Sequence, residues 1–494
     1  RLLKNDFVKG QNRFFMIYVE KTTDEEKPLM YYYQSNLEIQ QNRQAYESMY
    51  DPNHILVQID KLMDWNHVYQ LLEPFYPSTI GRPTIDPLIF VKILMIQYLE
   101  GFRSVRFTCK QIQQHATYRW FLGISPTDKV PCHSSVSKFL RHRVDPSVWE
   151  ALFDHVLQRI QEDGFLSKDT WAADETELKA NANKRKRIQV IQTMVVKEDE
   201  DVLQLVNEKR QQHGKKPLAP KAEKLVTKKM ICSTTDPDAG LSVKHDPRGL
   251  FAFHDHRIVD TLHNFILDAY VTAATVPGHR ILMERIERVE HRVGYSPEEI
   301  VLDAGYYNAR LARELEKKGI LAYMSYRRFH RKEHPDCRSV KFQPVTDDVY
   351  ACPFGVKFTY STSTRSGYHE YKPAVKGSCV GCSAAKGAKD RVFRVSVHQD
   401  IYERMRKQRL SLRGKVLRSV RPSTIERSFA ESKELHGLRF TRYRGVQQVQ
   451  IQVWITALIQ NLKKWTKLRS LQQYGLYLTY QMEEKKKRKS SHSS

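Results

Sequence analysis

The chain has no long apolar run. Its longest, Leu88 to Leu99, is interrupted by Lys92 and Gln97 and falls short of the roughly 20 residues a helix needs to cross a bilayer. The opening residues, Arg1 to Asp6, carry no secretory pattern. They also do not start on Met, so residues ahead of them are expected. Cysteine is scarce, with 7 in 494 residues, which excludes a disulfide scaffold and points to a reducing cytoplasm. Acidic residues are in deficit: 56 Asp+Glu face 81 Lys+Arg, a formal charge of +25. A surplus that large favours polyanion partners, chiefly nucleic acid, through counterion release.

A hydrophobic content of 40% and this length support a sizeable core and two or three domains. Residues 1–71 read as irregular structure with short helices. Residues 72–150 read as an all-helical unit. There Asp86-Pro87 supplies an N-cap and a first-position proline, and Leu88, Val91, Leu94, Met95, Tyr98 and Leu99 recur at helical spacing up to Gly101. A second helix is expected from Ser104, and a third after Ser134 carrying Arg141, His142 and Arg143. Short helices ending on a basic one suit a helix-turn-helix-like DNA-binding module. An ordinary bundle with a solvated basic face fits the spacing equally well.

Residues 166–468 change character. Thr170-Trp171-Ala172-Ala173 runs into Asp174, and Ile300-Val301-Leu302 runs into Asp303. Between them, residues 195–230 are rich in Lys, Glu and Gln and read as a solvated helical excursion broken at Pro217 and Pro220. Ala309 to Lys318 reads as a helix, Gly319 as its stop and Ile320 to Met324 as a strand. That alternation belongs to an α/β domain with parallel strands. Residues 335–400 read as a β-rich insertion, 424–467 as helix, and 480–494 as a basic, disordered tail.

Strand ends are where α/β sheets deliver catalytic side chains, but Asp there also caps helices. In a helix from Thr424, Glu426 and Lys433 share a face two turns apart, about 10.5 Å along the axis. Spacing leaves Glu431 and Glu434 as rivals to Glu426. Three carboxylates on a basic protein suggest a two-metal phosphoryl-transfer site. Mg²⁺ takes hard oxygen ligands, and a pair of such ions can activate a hydroxyl and stabilise a leaving oxygen. Cys352, Cys379 and Cys382 are candidate zinc ligands with Cys337 or His369 as a fourth. A closed zinc site needs four ligands and none stands out as the last, so structural zinc is not favoured. Cys109, Cys132 and Cys232 read as buried or incidental thiols.

From about residue 72 to 468 the chain resembles DDE transposases of bacterial insertion sequences, in the IS eleven-eighty-two branch related to the IS-four/IS-five-like group. The resemblance rests on ordered blocks. They are Gly81-Arg82-Pro83, Tyr118 to Gly123, His133 to Ser137, Asp174 with Ala180 to Lys184, His254 to Asp260, Leu302 to Tyr307, Thr424 to Gly437 and Arg442 to Gly445. It implies an α/β, RNase H-like catalytic domain with a β-rich insertion, preceded by the helical DNA-binding domain. It makes Asp174, Asp303 and Glu426 ligands for two Mg²⁺, with Mn²⁺ as a substitute. It also selects Glu426 over its rivals, because the family has Lys seven residues after that Glu. Lys433, Arg421, Arg141, Arg143 and Lys184 become DNA contacts. The implied activity is cleavage of double-stranded DNA at terminal inverted repeats and transfer of the 3′-OH to a target, by a dimer or higher multimer. A domesticated DNA-binding protein and a nuclease without strand transfer are the alternatives. Two departures stand out. Arg418 lies where the family has a Tyr, and Ser383 to Gly387 lacks a further Cys after the CxxC.

Overall fold

The computed structural model describes residues 34–76, 84–326, 342–382 and 389–480, apart from 245, 347 and 478. Gly81-Arg82-Pro83, Cys337, Ser383 to Gly387 and the tail after 480 lie outside them.

Helices come first: α1 (Asn36–Gln44), α2 (Ile55–Leu62), α3 (Trp65–Leu72), α4 (Pro87–Leu99), α5 (Val105–Gln114), α6 (Ala116–Leu122), α7 (His133–Lys138) and α8 (Pro146–Glu162). Their starts follow local chemistry. Ser35, Asp64, Asp86, Ser104 and Asp145 each accept a backbone N–H of the first turn, satisfying donors that the helix itself leaves unpaired. The basic helix expected after Ser134 is short. α7 gives way to a π-type turn over Phe139–Arg143 that leaves Arg141, His142 and Arg143 exposed.

The helix α4 is buried on every side, from Pro87 to Leu99. Its Lys92 lies 3.6 Å from Asp60, with its ammonium 4.4 Å from the Trp65 ring centroid and 5.2 Å from that of Phe121. A helix apolar all round needs neighbours all round. They are α3, α5, α6 and, from the far end of the chain, α15 (Val446–Gln473). The helices α2 and α8 also pack on α15. One apolar cluster therefore runs from Tyr46 to Leu468 through the helical and α/β parts alike.

The remaining elements in chain order are β1 (Thr170–Lys179), β2 (Arg187–Val196), α9 (Glu200–Gln212), β3 (Lys224–Ser233), β4 (Gly240–Ser242), β5 (Leu250–Asp260), β6 (Ile266–Ala273), α10 (Leu282–Val293), β7 (Glu299–Leu302), α11 (Ala309–Lys317) and β8 (Leu321–Met324). After these come β9 (Gln343–Thr346), β10 (Val349–Ala351), β11 (Lys357–Thr364), β12 (Tyr368–Pro373), β13 (Phe393–Ser396), α12 (Gln399–Leu410), α13 (Leu412–Val420) and α14 (Ile425–Glu434), ahead of α15. In the main sheet β5 pairs with β4, β6 and β1, all antiparallel, while β1, β7 and β8 run parallel.

The outer edge of β6 is closed by amide side chains of α15. Gln450 accepts the Val271 N–H at 2.7 Å and donates to the Ala269 carbonyl at 3.0 Å. Asn461 accepts the Ile266 N–H at 2.9 Å and donates to the Ile266 carbonyl at 2.8 Å. The buried helix thus stands in for a neighbouring strand and satisfies groups that an edge would otherwise leave bare.

The charged stretch 195–230 differs from expectation. Only α9 is helical. It sits at the end of a ribbon formed by β2 and β3, paired from Arg187↔Ser233 to Val196↔Lys224. Ile188, Val190, Met194 and Val196 lie on one face, a strand period, but Gln192 interrupts the run and Ile191 and Val195 on the other face blur it. Within the stretch read as a β-rich insertion, β9 to β13 form a separate antiparallel sheet in the order β13-β12-β11-β10-β9, with its own small core of Phe342, Phe358, Tyr371, Cys379 and Phe393.

Candidate active site

Trp171, Ala172 and Ala173 are buried and carry β1 through the centre of the sheet. The parallel pairing with β7 runs from Thr170↔Glu299 to Ala173↔Leu302. The next residue on each strand is an aspartate, so Asp174 and Asp303 emerge side by side where the pairing stops. Adjacent strands lie about 4.8 Å apart. The two carboxylates feel one another: Asp303 raises the pKa of Asp174.

Asp174 is not at a strand end, as the short apolar stretch before it suggested. β1 continues to Lys179 against β5. One oxygen of Asp174 accepts the Glu175 N–H at 2.8 Å, and the other pairs with Arg421 at 2.6 Å. Burial pushes its pKa up to about 6 although Arg421 opposes the rise. Asp303 leaves the sheet and caps the following turn, accepting the Gly305 N–H at 2.7 Å. It therefore caps and also faces Asp174.

The helix α14 buries Ile425, Ser428, Phe429 and Ser432 against β1, β5 and α15. Glu426, in its first turn, is exposed and makes no ion pair or hydrogen bond among the described residues. Its rivals are engaged elsewhere. Burial disfavours ionised Glu431, but His436, Lys464 and Lys463 hold its carboxyl well below the usual range. Glu434 pairs with Arg439. Two turns beyond Glu426, Lys433 donates to Thr176 Oγ1 on β1 at 2.6 Å, and burial lowers its pKa.

Asp174, Asp303 and Glu426 are not drawn into one tight ligand set. Among the described residues the group whose donor atoms lie within 4.8 Å of one another is Glu175, His254 and His256. Carboxylates repel at such range unless a cation lies between them.

Arg421 is buried and its guanidinium faces Asp174 rather than solvent. Arg141 lies over the Tyr443 ring at 5.6 Å and Arg143 over Tyr76 at 5.1 Å. Arg143 also lines a cleft of about 480 Å³ with Ser135, Lys138 and His142. Lys184 is exposed and pairs with Asp246 at 3.0 Å. Cys352, Cys379 and Cys382 pack in or against the small core of the second sheet as free thiols and do not form a close ligand group. His369, a candidate fourth ligand, hydrogen-bonds Ser363 at 2.7 Å instead.

Sequence reasoning missed the polar centre beneath α14. Arg257 and Asp255 are fully buried and pair at 2.7 Å. Arg257 also donates to the Ser428 hydroxyl at 2.9 Å and to Gln460 at 3.0 Å. This fixes the helix bearing Glu426 to the central strand. Alternating charges in a stretch otherwise as apolar as a buried strand were the available signal.

Two segments match models of known families. Residues 44–142 match a Transposase domain (DUF772), and residues 351–466 match a Transposase DDE domain. The chain thus carries a transposase domain and a transposase domain of the DDE type. The second segment includes Arg421, Glu426 and Lys433, while Asp174 and Asp303 lie ahead of it. Among solved structures, a cryo-EM structure of a piggyBac transposase synaptic complex with hairpin DNA is similar at 12% identity and a TM-score of 0.33, covering 89% of this chain and 82% of that one. No curated protein matches the sequence. No helix among its described residues is long and apolar enough to cross a membrane.

Proposed function

We propose that this chain cuts DNA at the inverted-repeat ends of an insertion sequence of the IS eleven-eighty-two branch and joins the freed 3′-OH ends to a target. Asp174, Asp303 and Glu426 are the metal ligands. The observation that carries this reading is the register of β1 and β7, which brings two aspartates together where parallel pairing ends. The order β6-β5-β1-β7-β8, with the first three antiparallel and the last two parallel to β1, supports an RNase H-like catalytic domain. The segment 72–150 ahead of it is the DNA-binding part.

The donor set fits Mg²⁺. It consists of hard carboxylate oxygens, and burial and Asp303 raise the pKa of Asp174 to about 6, a destabilisation of its charge that a cation relieves. Bound Mg²⁺ supplies activation of the attacking hydroxyl and stabilisation of the leaving oxygen. The chain's own residues position these groups. Arg421 orients Asp174, Arg257 anchors α14, and Lys433 lies beside the same strand. Arg141, Arg143 and Lys184 offer charge to the DNA backbone, Lys184 by exchanging Asp246 for phosphate. Two ends must be bridged, so a dimer or larger assembly acts on DNA.

The test is excision in cells of a marker placed between the gene's own flanking sequences. Wild type is expected to excise, and Asp303→Ala to lose at least ~10³-fold, as removal of a group that stabilises transition-state charge does. Equal excision by both would remove Asp303 from the chemistry.

A further inference from the structure

Asp174 and Thr176 face α14, so Glu175 between them projects from the other side of β1. Directly across the pair of strands is His256, and His254 lies diagonally beside it on the same face. The Glu175 carboxylate oxygen Oε2 is 3.2 Å from His256 Nδ1 and 3.9 Å from His254 Nδ1. One donor atom from each of the three residues lies within 4.8 Å of the others.

The hydrogen bonds around these rings fix where protons sit. Thr272 gives its hydroxyl proton to the Ala273 carbonyl, so its oxygen receives His256 Nε2–H at 2.8 Å. In a neutral ring Nδ1 then carries a lone pair. That nitrogen belongs to a side chain only 5% exposed, and it faces Glu175 Oε2 at 3.2 Å. A lone pair and a carboxylate oxygen held face to face in the interior repel unless a proton or a metal ion lies between them. His254 Nδ1–H donates to the Val276 carbonyl at 3.2 Å, which leaves Nε2 as the nitrogen of that ring able to hold an ion. The approach to Glu175 is kept open by Gly278, where a Cβ would sit 2.6 Å from Oε2 and 2.3 Å from the Tyr306 hydroxyl.

We infer that Glu175, His254 and His256 form a second metal site, for a zinc-like transition-metal ion, on the face of β1 opposite Asp174. Two imidazoles and one carboxylate are a donor set that zinc and its neighbours prefer and that Mg²⁺ does not seek. Donors about 2.0–2.1 Å from a tetrahedral zinc stand roughly 3.3–3.4 Å apart, close to the 3.2 Å seen between Glu175 and His256. Thr272 and Val276 are the outer partners that orient such ligands. This site uses none of the three carboxylates as ligands and does not rest on the strand-transfer reading.

The test uses the full chain, stripped with chelator and titrated with Co²⁺, whose visible absorption reports nitrogen-rich coordination. Wild type and Asp303→Ala are each expected to bind one equivalent with visible bands that Zn²⁺ abolishes. Glu175→Gln and His254→Gln are expected to weaken that binding at least tenfold while keeping the wild-type circular dichroism. The two positions are 26% and 14% exposed, so neither variant is asked to rebuild a fully buried core. Absence of bands in wild type would overturn the proposal and leave Glu175 and His256 as a plain ion pair. Bands that survive both variants, or that vanish with Asp303→Ala, would overturn it as well by placing the ion elsewhere.

Discussion

Lys92→Met is expected to stabilise the protein at neutral pH and to lose that advantage in alkali. The Lys92 ammonium is fully buried, and burial brings its pKa from 10.5 down to about 8, with Asp60 only partly offsetting the effect. Below pH 8 the folded state holds a charge that the unfolded chain hydrates freely. The cost, about 2.5 on the pH scale at about 1.4 kcal/mol each, is ~3 kcal/mol. Between pH 8 and 10.5 the folded lysine is neutral while the unfolded one is still charged, so wild-type stability rises and the cost fades. Methionine has similar reach and can fill the space between Trp65 and Phe121. Asp60 is not stranded, because Arg43 holds it at 2.8 Å. Loss of the contact with the two rings gives back about 1–2 kcal/mol. The net expectation is a gain of ~1–2 kcal/mol at pH 7, and a gap between variant and wild type that falls by roughly 2–3 kcal/mol on going to pH 10. Urea denaturation of both proteins at pH 7, 8.5 and 10 measures it. A gap that stays level or widens with pH would refute the reasoning, since it would mean that the folded lysine keeps its proton as readily as the unfolded one.

Arg421→Met removes the largest influence that opposes burial and Asp303 at Asp174, so the pKa of Asp174 should climb above about 6. The acidic limb of a DNA-cleavage pH profile is expected to move to higher pH by roughly one unit or more; an unmoved limb would detach Arg421 from Asp174. Asn461→Leu strips the Ile266 N–H and carbonyl of their partners inside the core and is expected to cost ~2–4 kcal/mol in denaturation. A loss under ~1 kcal/mol would mean that the β6 edge finds other partners.

Much of the scaffold was legible because its signals are local. Asp86-Pro87 announces α4, and Gly319 separates α11 from β8. The aspartates at 174 and 303 were legible as ends of apolar stretches, but their adjacency is a matter of register between strands 129 residues apart in pairing (Thr170↔Glu299), which no local pattern encodes. The ribbon of β2 and β3 was misread because neither face is covered. With no buried side, selection for strict apolar alternation is weak, and Lys and Gln sit among the valines and isoleucines. Arg421 was expected at DNA and is found on Asp174, since charge alone does not say which polyanion or carboxylate a guanidinium meets. His254 and His256 stood in a recognised block, yet Glu175 lies across a strand pairing and could not be matched to them.

The seam between α4 and α15 has a consequence for how the protein is made. The helices that begin the chain cannot cover their apolar sides until the last long helix leaves the ribosome, hundreds of residues later. A chain cut short anywhere before α15 therefore leaves sides of α2, α4 and α8 without the helix that packs on them.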